Sequence, residues 1–309
     1  MRWVTYVSPT NGEENAGLVV DDRVHGLPGG RLLDLLGDDG VRLRAAGEQA
    51  LRAPAEVVPL AVVELRAPLP APPSVRDFMA FEEHVHTSMA AIGSQVDPTW
   101  YEIPVFYFTN PAAVKGPHDP VPVPPGSTQF DYELEIAAVI GRAGSDVPVD
   151  QAEDLVAGYT LLCDWSARDL QAHEMRQGLG PAKGKDSSTS LGPALVTPDE
   201  LEPHRSGKGF ALRMQAWVNG RPYSDGTWAT IHWSFAQMIS YASRGTTLRP
   251  GDIIGSGTVG TGCILELSRV HGSERYPWLV PGDEVRLEVE QLGVLSSTVV
   301  PGPAVVPLG

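Results

Sequence analysis

Residues 130 to 140, FDYELEIAAVI, form an apolar strand-like run in which acids recur at every second position. Side chains of a β-strand alternate between two faces, so Asp131, Glu133 and Glu135 should project from the same face. The opposite face should carry Tyr132 and aliphatic side chains only. The run therefore indicates either a strand with one solvated face or a strand whose acids point at a positive charge.

The rest of the chain is typical of a strand-rich fold. Glycine and proline contribute 33 and 28 of the 309 residues and separate many short apolar runs. This punctuation favours strands and turns over a helical bundle. A proline-rich joint, APLPAPPS at 67 to 74, follows a first group of short strands. We predict a small N-terminal domain over 1–72 and a larger domain over 73–309.

Four further segments carry local signals of secondary structure. Residues 75–92 predict a helix, because their apolar side chains recur every three or four residues, which puts Asp77 at its start and His84 two turns later. The segment that ends in GCILELS predicts a strand that carries Glu266. Asn219-Gly220, between apolar alternations, predicts a hairpin, and 232–243 predicts a helix.

The charge of the chain excludes several classes of partner. The formal net charge is −15, with no cluster of Lys and Arg, which disfavours nucleic acids and anionic membrane surfaces. No apolar stretch approaches the length that spans a bilayer. The only cysteines, Cys163 and Cys263, lack metal-type spacing and suit a reducing compartment. We expect a soluble cytoplasmic protein that binds neither nucleic acid nor membrane.

Several acids stand in apolar surroundings. Glu133 and Glu135 would repel each other on one strand face, and a divalent cation would remove that repulsion. Taken alone, however, the segment is more typical of a solvated strand face. Asp164 follows TLLC at the end of a strand, where ligand-binding residues collect. Glu266 is flanked by apolar residues, and a buried Glu needs a partner.

Four motifs occur in the order DYELE, LLCDWSARDLQ, LGPAKGKDSSTSLGP and GSGTVGTGCILELS. Together they resemble the fumarylacetoacetate hydrolase family, and the resemblance extends over roughly residues 75 to 290. It implies a β-rich α+β fold in which a mixed β-sandwich roll follows a small β-rich N-terminal domain. It also implies a homodimer.

The resemblance implies a site built around a divalent cation, with Mg²⁺ expected and Mn²⁺ or Ca²⁺ as alternatives. Four acids would hold the cation, a His–Glu dyad would activate water, and a lysine would assist. The matching positions are Asp77, Glu133, Glu135 and Asp164 for the metal, and His84, Glu266 and Lys185 for catalysis.

Substrate contacts are implied at Tyr107, Gln171, Thr189 and Thr258. The family's hydrolase archetype has a second tyrosine where this chain has Met175, so substrate contacts there are expected to differ.

A site of four carboxylates suits a hard cation and not zinc, which prefers Cys and His. We expect hydrolysis of a C–C bond in a 1,3-diketone acid of the acylpyruvate type. The alternatives are a 2-oxo-acid decarboxylase, an isomerase of unsaturated oxo-diacids, and a metal-binding relative without catalysis. Decarboxylase-type members carry Glu three residues after the histidine, whereas this chain has Thr87. That difference favours the hydrolase.

Overall fold

The computed structural model describes residues 1–91 and 93–309. Strands dominate its first part, in keeping with the many turn residues. In chain order these strands are β1 (Arg2–Val7), β2 (Glu14–Val20), β3 (Arg23–Gly26), β4 (Glu56–Pro59), β5 (Glu64–Arg66), β6 (Val75–Phe78), β7 (Phe106–Thr109), β8 (Val114–Lys115), β9 (Val121–Pro122), β10 (Phe130–Asp131), β11 (Leu134–Ile140) and β12 (Gly144–Ser145).

The second part continues with strands of the same kind. They are β13 (Val156–Asp164), β14 (Ser166–Ala167), β15 (Thr189–Val196), β16 (Arg205–Ser206), β17 (Gly209–Phe210), β18 (Arg213–Val218), β19 (Arg221–Thr227), β20 (Thr247–Leu248), β21 (Ile253–Gly255), β22 (Glu284–Val289) and β23 (Gly293–Val300).

The α-helices of the described residues are short and lie between or against the strands. They are α1 (Val41–Arg52), α2 (Glu82–Ala91), α3 (Val149–Ala152), α4 (Arg168–Glu174), α5 (Pro198–Leu201), α6 (Phe235–Ala242) and α7 (Ile264–His271). In the described part of the chain, no helix combines the length and the apolar character needed to cross a bilayer.

The largest sheet has the strand order β4-β3-β2-β1-β15-β13-β11-β21-β6-β7. In addition, β5 pairs with β1 and β8 pairs with β15. β1 runs antiparallel to β15, with Arg2 opposite Val196 and Trp3 opposite Leu195. The N-terminal strands are thus hydrogen-bonded to a strand that follows residue 72, while the domain boundary at 72 stays a prediction.

A second sheet, β19-β18-β22-β23-β9, packs over the first. One apolar core contains Leu134 and Ile136 of β11 together with Met214 of β18 and Leu287 of β22. The fold is therefore the expected β-rich α+β arrangement, a sandwich of mixed sheets with helices at its periphery.

The strand β11 is buried on both faces. Ile136 and Ala138 belong to the core between the sheets, whereas Ala137 and Val139 pack in a separate apolar cluster with α1 and the N-terminal strands. Glu135 shares the second face and is fully buried. The interpretation of this run as a strand with one solvated face is therefore wrong, and its buried acids need partners.

The helix predicted over 75–92 is wrong in its first part. Residues Val75–Phe78 form β6, which pairs parallel with β21 and antiparallel with β7, and α2 starts only at Glu82. Pairing on both edges outweighs the local helical pattern, so Asp77 lies on a strand and not at a helix start. Ile92, the last residue of the predicted helix, lies outside the described residues.

The strand predicted through Glu266 is also wrong, because Ile264–His271 form α7. Its buried residues are Ile264, Glu266, Leu267 and Ser268. The Asn219-Gly220 hairpin is confirmed: both residues have positive φ, 52° and 73°, and they join β18 to β19. The helix predicted over 232–243 is confirmed as α6.

Candidate metal and catalytic site

Four buried acids meet at one place in the large sheet. β6 provides Asp77, and β13 ends at Asp164. Glu133 immediately precedes β11, and Glu135 is the second residue of that strand. They meet because β11 lies between β13 and β21, and β21 pairs with β6. One ligand oxygen from each of the four lies within 4.8 Å of the others. We call these four residues the acid group.

Burial and mutual repulsion make the acid group hard to ionise without a cation. Burial, together with the neighbouring carboxylates, holds the pKa of Glu135 well above its usual value. Burial also raises the pKa of Asp77, and it raises that of Asp164 to about 8 in spite of nearby Lys185. A divalent cation would supply the missing positive charge.

Two oxygens of the acid group are suited to ligate such an ion. Glu135 Oε1 and Asp164 Oδ1 are buried and find no hydrogen-bond partner among the described residues. An oxygen-only donor set of carboxylates suits a hard cation such as Mg²⁺, Mn²⁺ or Ca²⁺. The residues present therefore fit a divalent cation. Their role as ligands stays a prediction.

Glu133 differs from the other three acids because two cations contact it. Lys185 Nζ donates to Glu133 Oε2 at 2.5 Å and Arg168 Nη2 donates to Glu133 Oε1 at 2.7 Å. Burial acts to raise the pKa of Glu133, but attraction to Arg168 and Lys185 outweighs burial and lowers it. Glu133 is therefore ionised.

Lys185 is tied into the acid group. Its ammonium also donates to Asp164 Oδ2 and to Ser166 Oγ, both at 2.7 Å. Burial acts to lower its pKa, but Asp164 and Glu133 raise it above the usual value, so the ammonium keeps its charge. The involvement of Ser166 was not predicted, and only the neighbouring Asp164 could have suggested it.

His84 and Glu266 form the dyad that the resemblance implies. His84 Nδ1 lies 2.6 Å from Glu266 Oε1, and the backbone N–H of Thr261 donates to Glu266 Oε2 at 3.1 Å. Both side chains are buried. Because an ionised Glu266 accepts from Nδ1, the Nε2 atom of His84 is the one left to accept a proton.

The dyad lies beside the acid group. Glu133 forms a β-bridge with Cys263, and the thiol of Cys263 lies 3.6 Å from Glu266 Oε1. The His84–Glu266 pair and the candidate cation site are thus adjacent within one buried cluster.

The predicted substrate-contact residues differ in their surroundings. Tyr107 OH donates to Asp164 Oδ2 at 2.5 Å, and Gln171 Oε1 accepts from Arg168 Nη1 at 3.2 Å. Thr189 and Thr258 are both buried, and the Thr189 hydroxyl has no partner among the described residues. Contact with a substrate stays a prediction for all four.

Arg168 and its chain neighbour Asp169 contact different partners. Asp169 accepts from Ser127 Oγ and from the N–H of Thr128, each at 2.7 Å. Arg168 turns inward to Glu133 and Asp131. The burial of a guanidinium between two acids could not be read from a local motif.

Gly257 forms hydrogen bonds with two acids of the acid group, and this role was not predicted from the sequence. Its N–H donates to Glu135 Oε2 at 3.0 Å and to Asp77 Oδ1 at 3.2 Å. Its φ is +74°, and a Cβ would lie 2.4 Å from the carbonyl oxygen of Phe78. The glycine-rich run GSGTVG was the signal that backbone approaches closely here.

Comparisons with known proteins identify the family of the chain. Residues 74–300 match the family model described as fumarylacetoacetate (FAA) hydrolase C-terminal. The human mitochondrial protein named oxaloacetate tautomerase FAHD2A is 31% identical over 265 residues, which is 85% of this chain and 78% of that protein.

Two solved structures share the architecture over nearly the whole chain. A maleylpyruvate hydrolase from Sphingobium sp. SYK-6, crystallised with manganese(II) and pyruvate, has a TM-score of 0.73 and 25% identity, covering 98% of this chain and 100% of that one. A protein from Mycobacterium abscessus, described as a probable 2-hydroxyhepta-2,4-diene-1,7-dioate isomerase, has a TM-score of 0.74 and 27% identity with the same coverage.

Proposed function

The chain belongs to the fumarylacetoacetate hydrolase family, and from this premise we propose that it is a metal-dependent hydrolase of C–C bonds. The substrate class is a 1,3-diketone acid of the acylpyruvate type. The observation that carries this proposal is the buried contact of 2.6 Å between His84 Nδ1 and Glu266 Oε1 beside the acid group. This oriented imidazole is suited to deprotonate water.

Asp77, Glu133, Glu135 and Asp164 would hold the cation, with Mg²⁺ expected and Mn²⁺ or Ca²⁺ as alternatives. When bound, a cation there would supply Lewis-acid chemistry that draws electrons from the two carbonyl oxygens of the diketone and stabilises an enolate. Support comes from the two buried oxygens without partners and from the manganese in the Sphingobium hydrolase.

His84 acts first as the base. Its Nε2 takes a proton from water, while Glu266 holds Nδ1–H and stabilises the imidazolium that forms. The hydroxide adds to one carbonyl carbon of the diketone and gives a tetrahedral alkoxide, which re-forms its C=O bond only as the neighbouring C–C bond is lost. In that same step the electron pair of the C–C bond passes to the departing carbon. His84 returns its proton to that carbon, so the products are a carboxylic acid and a 2-oxo acid.

Lys185 and Tyr107 complete the proposed site. A buried ammonium attracts a substrate carboxylate locally, although the whole chain carries a net charge of −15. Tyr107, which donates to Asp164, would offer its hydroxyl to the substrate oxygens. We assign further substrate contacts to Gln171, Thr189 and Thr258.

The proposal is tested with purified protein, Mg²⁺ and a panel of acylpyruvates in H₂¹⁸O. Hydrolysis predicts two product acids, one of which carries ¹⁸O in its new carboxylate. EDTA should abolish turnover, and His84→Ala should lower kcat by about 10²- to 10⁴-fold. Turnover that survives both EDTA and His84→Ala would overturn the scheme.

A second candidate is keto–enol tautomerisation of a 2-oxo acid. The human relative named oxaloacetate tautomerase favours it, since it aligns with 85% of this chain. The same base and the same acid group would move a proton between carbon and oxygen. In that case the product mass stays unchanged and no carboxylate gains ¹⁸O, so the labelling experiment separates the two reactions.

We further propose that the protein works as a homodimer in the cytoplasm. Both cysteines are buried and unpaired, which suits a reducing compartment. Light scattering coupled to size exclusion tests the dimer, for which a mass near twice the 33.1 kDa of one chain is expected.

A further inference from the structure

Asp131 is the third acid of the alternating run, yet it lies outside the acid group. It is fully buried on β10, which pairs with β14 so that Asp131 lies opposite Ser166. A buried carboxylate without a cation to ligate requires another explanation, because its desolvation is costly. Its contacts point in two directions.

In one direction Asp131 caps α7. Asp131 Oδ1 accepts from the N–H of Ile264 at 2.7 Å, and Oδ2 accepts from the N–H of Leu265 at 3.0 Å. Cys263, at the N-cap position, makes no side-chain capping bond of its own. A carboxylate from a distant strand therefore satisfies the free donors at the start of this helix and complements its dipole.

In the other direction Asp131 holds Arg168. Arg168 Nε donates to Asp131 Oδ2 at 2.8 Å, while Nη2 donates to Glu133 Oε1 at 2.7 Å. The guanidinium is planar and rigid, and here it is buried between the two acids. The position of Glu133 in the acid group thus depends on a cation that Asp131 holds.

Glu266 lies in the first turn of α7, two residues after Ile264. Its carboxylate reaches His84 from this turn. A displacement of the first turn would therefore move Glu266 and with it the imidazole.

We propose that Asp131 is a positioning residue that couples the acid group to the His84–Glu266 dyad. The coupling runs from Glu133 through Arg168 and Asp131 to the first turn of α7. The inference rests on the proposed function for its consequence in catalysis, but the coupling itself is a property of the protein without ligands. Asp131 touches no reacting atom.

Amide hydrogen exchange, followed by mass spectrometry on the metal-free full-length protein, tests the coupling. In Asp131→Asn an amide replaces the carboxylate, so exchange of the peptide that contains Ile264 and Leu265 should become at least about tenfold faster. Arg168→Lys should also speed that exchange, although Arg168 forms no hydrogen bond or ion pair with α7 among the described residues. In the double variant the two effects should not add, because both act through Asp131.

Asp252→Asn is the matched control. Asp252 is buried like Asp131 and accepts from Ser74 Oγ at 2.7 Å and Arg76 Nη1 at 3.5 Å, but among the described residues it has no hydrogen bond with Arg168 or α7. It should lower stability without a selective effect on the first turn of α7. If Asp131→Asn does not fold, the test compares amide exchange in Arg168→Lys with that in Asp252→Asn. Arg168→Lys is suited to this because the lysine keeps the buried positive charge.

Calorimetry with Mn²⁺ provides the second measurement. Loss of an outer partner of a metal ligand typically weakens binding 10- to 100-fold, so Asp131→Asn should raise the Kd for Mn²⁺ by at least about tenfold. Faster amide exchange in Asp131→Asn with an unchanged Kd for Mn²⁺ would show that Asp131 only caps α7, and it would overturn the coupling. So would additive effects of the two substitutions. Wild-type protein that binds no Mn²⁺ would contradict the proposed function, while the exchange cycle would still decide the coupling.

Discussion

His84 Nδ1 and Glu266 Oε1 lie 2.6 Å apart although 182 positions of the chain separate the two residues. His84 comes from α2 and Glu266 from α7. In chain order α2 follows β6 and α7 follows β21, and these two strands are neighbours in the large sheet. The fold therefore brings the proposed base to the candidate cation site. The first prediction concerns this pair.

Glu266→Gln should lower kcat by at least about 10²-fold with little change in KM. The amide can donate to Nδ1 of His84, which would move the imidazole hydrogen to Nε2 and remove the atom that accepts the proton. Steady-state kinetics with the best acylpyruvate measures this effect. A variant with unchanged kcat would show that the dyad does not act in the reaction.

His86→Ala is the matched control for the dyad. His86 lies on the same helix but on its exposed side, where Nε2 contacts Tyr101 OH at 3.1 Å. Its removal should leave kcat within about twofold of wild type, since surface substitutions have small effects. A loss as large as that of Glu266→Gln would point to damage of α2 instead.

Metal binding should depend on Glu135. Glu135 is fully buried, and its Oε1 has no partner among the described residues. Glu135→Gln should raise the Kd for Mn²⁺ by at least about 100-fold, because loss of a ligand costs more than loss of an outer partner. Calorimetry measures this, with Glu64→Gln, an exposed acid on β5, as the control.

Thermal unfolding gives an independent measurement of the same site. A cation present at 100 times its Kd should stabilise the wild-type protein by about 2.7 kcal/mol, and chelation should remove that gain. Glu135→Gln should show almost no shift of Tm on addition of Mn²⁺. An equal shift in both proteins would place the cation elsewhere.

Local patterns located the acids better than the elements that carry them. Alternation in FDYELEIAAVI put Glu133 and Glu135 on one face, and Asp164 was expected at a strand end. The backbone at Asp77 and Glu266 was predicted wrongly, because strand pairing and helix capping come from residues far away in sequence. Such long-range contacts leave no trace in a short window.

The same reason explains why the buried ion pairs were missed. Arg168 and Asp131 are 37 positions apart, and nothing in either motif indicates the other. Only the packed sheet shows that Asp131 caps α7 and faces Arg168.

The stability of the metal-free protein should fall as pH rises from about 4 to about 8. Burial raises the pKa of Asp164 from 3.8 to about 8, so the folded state keeps a proton that the unfolded state releases. The stabilisation is complete below the unfolded pKa and is lost as pH rises through the folded pKa. Urea unfolding with EDTA at several pH values measures the slope, which Asp164→Asn should reduce.

Added Mn²⁺ should reverse this trend. Protons and the cation compete for the carboxylates, so the affinity for Mn²⁺ should increase as pH rises toward 8. Calorimetry at pH 6, 7 and 8 tests it. An affinity independent of pH over this range would mean that Asp164 does not ligate the ion.

Gly257→Ala should destabilise the protein and weaken metal binding together. With φ at +74°, an alanine is strained, and its Cβ would lie 2.4 Å from the carbonyl oxygen of Phe78. Strain and overpacking together predict a loss of about 2 to 5 kcal/mol in the free energy of unfolding. Movement of the N–H that Gly257 donates to Asp77 and Glu135 should also raise the Kd for Mn²⁺.

Gly178→Ala separates the two causes. Gly178 has nearly the same φ, +73°, but a Cβ there meets nothing within 4 Å. It should cost only the conformational strain, about 1 to 2 kcal/mol, and leave the Kd unchanged. Urea unfolding and calorimetry on both variants measure the difference. Equal losses of stability and unchanged metal binding in both would show that the backbone at Gly257 does not position the acid group.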